Sequence, residues 1–121
     1  MGADGSETEL VQLLTALDAS RVPIAAICAA TTVVVRAGLL RGRRHTSNGL
    51  AYLSRQVSEY SEAAGYVDAP AVRDRGLITA SGLSAIEFAA EIMAELGVLS
   101  DDERKHWAEL FRSGRVPNGA V

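Results

Sequence analysis

The chain contains one cysteine, Cys28, and two histidines, His45 and His106. A lone cysteine cannot cross-link the chain internally or build a thiolate-rich zinc site. It is either a small buried hydrophobe or a reactive thiol. Its setting is Ala26-Ile27-Cys28-Ala29-Ala30. A nucleophile on a sharp strand-to-helix turn needs small residues two before and two after it, because the strained backbone crowds those positions. Ala26 and Ala30 meet that need. The helix that follows would aim its first amides at the sulfur and favour the thiolate. The amide of Ala29 would then be placed to donate to an oxyanion. In an alanine-rich chain the same five residues also suit a plain buried cysteine, and the window alone leaves both readings open.

His45 follows Arg43 and Arg44 and precedes Thr46-Ser47-Asn48. If 43–47 is a short strand beside the cysteine strand, His45 can reach Cys28; a histidine at a strand end can equally be structural. His106 lies among charged residues near the C-terminus and reads as a solvated surface group. Arg41, Arg43 and Arg44 read as a solvated turn. The net charge is −3, which argues against general binding to nucleic acid or an anionic membrane. No P-loop, dinucleotide fingerprint or metal-ligand spacing is present, so no cofactor and no metal are expected.

The elements that must position these residues can be read from caps and periodicity. With 121 residues the chain has room for one domain. Ser6-x-x-Glu9, Ser84-x-x-Glu87 and Ser100-x-x-Glu103 each fit a capping box. Leu10, Leu13, Leu14 and Leu17 give the first helix an apolar face. Ile86, Ala89, Ala90, Met93 and Leu96 do the same after Ser84, with Gly97 as the stop. Trp107, Leu110 and Phe111 supply the buried side of the last helix, which Gly114 ends; Arg115–Val121 reads as a tail. The uncharged run Val22–Val35 is too long for one strand, since strands rarely exceed ~10 residues. It divides into a strand over Val22–Ile27 and a buried helix over Ala29–Ala37 ended by Gly38, with the break at Cys28. Leu50–Tyr60 reads as an amphipathic helix. Ala71–Arg73 and Leu77–Ala80 flank Asp74-Arg75-Gly76, a hairpin signal. Helices alternating with short apolar strands predict a layered α/β domain. The N-terminus lacks the basic and apolar regions of a signal peptide, and Val22–Val35 is shorter than the ~20 residues of a membrane span, so a cytoplasmic location is expected.

Several segments, in order, resemble the ThiJ/PfpI family of the class I glutamine amidotransferase-like superfamily. They are Ile24-Ala25-Ala26-Ile27-Cys28-Ala29-Ala30-Thr31, Ala37-Gly38-Leu39-Leu40-Arg41-Gly42-Arg43, Thr46-Ser47, Val72-Arg73-Asp74-Arg75-Gly76-Leu77-Ile78-Thr79-Ala80-Ser81-Gly82, and Ala85-Ile86-Glu87-Phe88-Ala89. The resemblance implies a flavodoxin-like three-layer sandwich on a mostly parallel sheet, with Cys28 as the elbow cysteine. It implies the chemistry of deglycases, glyoxalases, amidases or proteases on a small carbonyl or amide substrate, and often a homodimer. Many members carry a histidine directly after the cysteine or in the segment matching Thr46-Ser47; this chain has Ala29 and Ser47 there. His45 stands two residues from Ser47 and would share its side of a strand, which makes it the candidate partner of Cys28.

The family domain also has upstream strands, a glutamate that hydrogen-bonds the cysteine, and a Pro-Gly-Gly-type loop. On this reading the chain corresponds to the C-terminal two-thirds of that domain. The cysteine strand is then expected to lie at a sheet edge and to invite pairing with another chain. The alternatives to an enzyme are a protein in which Cys28 is reversibly oxidised, an interaction protein, and an inactive truncated product.

Overall fold

The structure is a computed structural model and describes residues 5–114. The expected tail over 115–121 lies outside the described residues, as does the side chain on which the Ser6 capping box rests. The uncharged run folds as its composition requires. It divides into strand β1 (Ile24–Ile27) and helix α2 (Ala30–Arg36), and the break falls on Cys28. Three consecutive valines disfavour a helix. Burial overrides that preference, because Val34 sits in the core with Ile24, Ala26, Leu39, Leu40 and Leu77. Gly38, at φ +75°, turns the chain out of the helix.

Strands β2 (Ala71–Asp74) and β3 (Leu77–Ala80) form the expected hairpin. Arg75 and Gly76 make its two-residue turn at φ +47° and +80°, the left-handed backbone that suits the twist of paired strands. β3 is central: it pairs antiparallel with β2 and parallel with β1, giving the order β1-β3-β2. All four of its residues are buried, as a strand covered on both faces must be.

Helix α1 (Gly5–Ala19) and α2 pack on one face of the sheet, and helix α4 (Ala85–Glu95) on the other, with α5 (Asp101–Ser113) against α4. A short helix α3 (Leu50–Gln56) and a single 3₁₀ turn (Ala63–Gly65) lie between. The result is the three-layer α/β arrangement expected. In the described residues the sheet has one parallel and one antiparallel pair, and β1 has a sheet neighbour on one side only.

Several local expectations are corrected. Residues 43–47 do not form a strand beside β1. Only His45 makes a bridge, and its partner is Tyr66. The next residue is held by side chains instead of a ladder: the Thr46 amide donates to Thr79 Oγ1 and its hydroxyl donates to the Ala69 carbonyl. α3 ends at Gln56, short of Tyr60, because Val57 turns to extended backbone. The Ser84 hydroxyl does not cap α4; it pairs with Ser81 Oγ at 2.6 Å. The Ser100 capping box forms in full, and Gly114 closes α5 at φ +67°. On α5 the buried residue is Ala108, while Phe111 is 57% exposed beside Trp107. Leu14 and Leu17 of α1 reach the core, whereas Leu10 and Leu13 are exposed.

Candidate functional site

Cys28 leaves the end of β1 at φ +59°. A non-glycine residue held in that region costs roughly 1–3 kcal/mol and persists only where its surroundings fix it. Three contacts do so. The Cys28 amide donates to the Ala80 carbonyl at 3.0 Å, which extends the parallel pairing one residue past β1. Its carbonyl accepts the Thr31 hydroxyl at 2.6 Å and the Thr31 amide at 3.1 Å. Because the Thr31 proton is committed there, Ser47 is the donor in the 2.7 Å Thr31–Ser47 hydroxyl pair. That pair is buried and ties the segment after His45 to the first turn of α2.

The side chain of Cys28 is half-buried, while Ala29 and Ala30 are exposed. The Ala29 amide precedes the first helical residue of α2, next to the sulfur-bearing residue. Sγ accepts from Asn48 Nδ2 at 3.4 Å. Asn48 Oδ1 in turn accepts the Gly82 amide at 2.8 Å. The loop at Gly82 comes so close that a Cβ there would stand 2.8 Å from Sγ and 3.2 Å from Cys28 Cβ. Only glycine permits that approach without a shift. Asn48 and Gly82 are the site neighbours that sequence reasoning missed. Both lay in or beside the quoted segments, but no spacing rule linked them to Cys28.

His45 is placed differently from expectation. It is fully buried, and both of its ring nitrogens are occupied. Nδ1 faces the Arg43 carbonyl at 3.0 Å and Nε2 faces the Tyr60 hydroxyl at 2.8 Å. A carbonyl only accepts, so Nδ1 carries the proton; in the neutral ring the Tyr60 hydroxyl then donates to Nε2. Burial, with smaller contributions from Tyr66 and Glu62, pushes the Tyr60 phenol up to about 12. That keeps the donating proton in place. Tyr60 and Tyr66 both pack edge-on against the imidazole. Gly65 is required beneath it, since a Cβ there would stand 2.5 Å from the Arg43 carbonyl oxygen. The structure therefore does not bring His45 to Cys28 as a base: the ring is a buried brace for the loop that carries Ser47 and Asn48.

His106 lies on the exposed side of α5, as expected. The basic cluster disperses. Arg43 pairs with Asp18 at 2.7 Å and also donates to the Leu39 and Arg75 carbonyls. Arg44 pairs with Asp74. Among the described residues no cluster of His, Cys, Asp and Glu could hold a metal ion. No described helix is long and apolar enough to cross a membrane. A cleft of about 530 Å³ opens between β2, α4 and α5, and Cys28 does not line it. Its walls are largely self-paired charges, Arg73 with Glu91 and Glu87 with Arg112.

Comparison with known proteins agrees with this architecture. Residues 4–95 match the family model described as the DJ-1/PfpI family. YoaZ of Bacillus subtilis, named an uncharacterized protease, is 41% identical over 90 residues, covering 74% of this chain and 43% of that protein. YdeA of the same organism, also named an uncharacterized protease, is 42% identical over 67 residues, covering 55% of this chain and 34% of that protein. The crystal structure of a ThiJ/PfpI family protein from Bacillus anthracis superposes with a TM-score of 0.84 at 30% identity, covering 95% of this chain and 56% of that one. A DJ-1 superfamily protein from Agrobacterium tumefaciens superposes at 0.77 with 32% identity, covering 87% and 55%. The chain thus spans less than half the length of the curated relatives it matches. With the family model spanning most of its residues, the chain belongs to the DJ-1/PfpI family.

Proposed function

We propose that Cys28 is the nucleophile of a cysteine-dependent reaction on a small carbonyl or amide compound. The observation that carries this reading is the backbone of Cys28, at φ +59° between β1 and α2, with the exposed residue Ala29 directly after it. A core cysteine gains nothing from that strain, whereas a nucleophile held on a sharp turn gains exposure and a neighbouring amide donor. In the first step the Sγ lone pair forms an S–C bond to the substrate carbonyl. The C=O π pair moves onto oxygen, where the Ala29 N–H donates to it. With an amide, the tetrahedral species expels the amine, which takes up a proton, and water then cleaves the thioester.

The relatives named as proteases support a hydrolytic outcome. The family's glyoxalase and deglycase chemistry begins with the same addition. The test is turnover of methylglyoxal and of a glutamine analogue by the wild-type chain and by Cys28→Ala. Turnover of either compound that disappears in Cys28→Ala is the expected result. Equal turnover by both proteins, or none by either, would remove Cys28 from the role.

A further inference from the structure

We infer that Asn48 is the positioning residue for the Cys28 sulfur, holding it in its anionic form through a side-chain amide whose orientation Gly82 fixes. The inference rests on the reading of Cys28 as the nucleophile and adds the group that sets its state. An asparagine side chain can present either its oxygen or its NH₂ to a neighbour, and the two ends are nearly isosteric. Here the choice is forced. The backbone N–H of Gly82 can only donate, and it meets Asn48 at 2.8 Å, so that end is Oδ1. The NH₂ end must then face Cys28 Sγ, at 3.4 Å. The sulfur therefore meets a group that can donate and cannot take its proton. A thiolate only accepts, so it gains more from this partner than a thiol does.

The neighbouring residue completes the grip. Ser47 reaches the Cys28 carbonyl through Thr31, while Asn48 holds the sulfur. Two consecutive residues thus fix both ends of Cys28, and buried His45 braces the segment from the other side. The close approach of Gly82, which no larger residue allows, brings its amide within reach of Oδ1. Asn48 itself is exposed, so replacing it leaves the core intact.

Asn48→Ala and Asn48→Asp test this role together. An aspartate keeps an acceptor for the Gly82 amide but turns an oxygen toward the sulfur. A carboxylate this close slows alkylation by its charge alone, so the neutral variant carries the comparison: if Asn48 gives the sulfur nothing, Asn48→Ala alkylates like wild type. If it positions the thiolate, the iodoacetamide rate at Cys28 at pH 7 falls about tenfold in Asn48→Ala and further in Asn48→Asp, where a like charge opposes the anion. An Asn48→Asp rate at or above wild type overturns the inference. A second measurement needs no change at Asn48. In Cys28→Ala the NMR signals of the Asn48 side-chain NH₂ are expected to move; unmoved NH₂ signals overturn the inference. A wild-type Cys28 no more reactive than a free cysteine peptide would instead defeat the nucleophile reading itself, which the Asn48 comparison does not test.

Discussion

At Cys28 a strained backbone presents one sulfur atom, which accepts from the Asn48 side-chain amide. The neighbouring residues lend themselves to direct tests. His45→Phe keeps an aromatic ring, slightly larger than imidazole, but leaves the Tyr60 hydroxyl and the Arg43 carbonyl without their partner. It is expected to destabilise the fold by about 1–3 kcal/mol in chemical denaturation. Cys28 alkylation per folded molecule should change far less; an unchanged midpoint would show that the brace carries no weight. Tyr60 adds a pH signature. Its phenol titrates at about 12 in the fold against 10.0 in an unperturbed chain. The raised value means its contribution to stability is complete below pH 10 and is lost as pH rises from 10 toward 12. Tyr60→Phe should flatten that part of the stability–pH curve. The strand-to-helix break at Cys28 was legible from its small flanking alanines. The role of His45 was not, because spacing along a chain does not say which hydrogen-bond partners a ring finds.

At the scale of elements, the hairpin, the β1–α2 break and the Ser100 cap followed directly from turn glycines, small residues and capping chemistry. The 43–47 segment did not. Its strand-like composition is outweighed by threonine side chains that satisfy the backbone in place of a ladder. Ser84 likewise found Ser81 before it could cap α4. Gly82 is the element-level position with the clearest consequence. Gly82→Ala must push Cys28 or the loop aside, and is expected to lower the Cys28 alkylation rate several-fold; full reactivity would show that the contact is slack. The pairing of α4 with α5 carries an acid signature. The Arg112 guanidinium holds the Glu87 carboxyl below its ordinary value. Its contribution is therefore present above pH 4.5 and fades as the pH falls through the lowered value. The pair is partly exposed, so Glu87→Gln should cost no more than about 1 kcal/mol and should remove only that acid-side dependence.

For the whole molecule, the layering was legible from the alternation of helices and apolar strands, and the edge position of β1 was expected from the family resemblance, while the exposure of the helix faces was not. Helical periodicity marks an apolar face without saying what meets it. Leu10 and Leu13 of α1 stand 42% and 54% exposed, no residue of α4 is fully buried, and among the described residues β1 has a sheet neighbour on one side only. An open edge beside exposed leucines predicts self-association of the isolated chain. Sedimentation should show a weight-average mass that rises with concentration, and Ala25→Lys, at the exposed position of β1, should reduce it. A concentration-independent monomer would contradict this. The central claim concerns one atom, and the most direct measurement is the iodoacetamide rate of Cys28, followed by intact mass at pH 7 against a free cysteine peptide. A faster rate than the peptide's, lost on unfolding, is the predicted result. A rate equal to or below the peptide's in the folded protein would contradict the account.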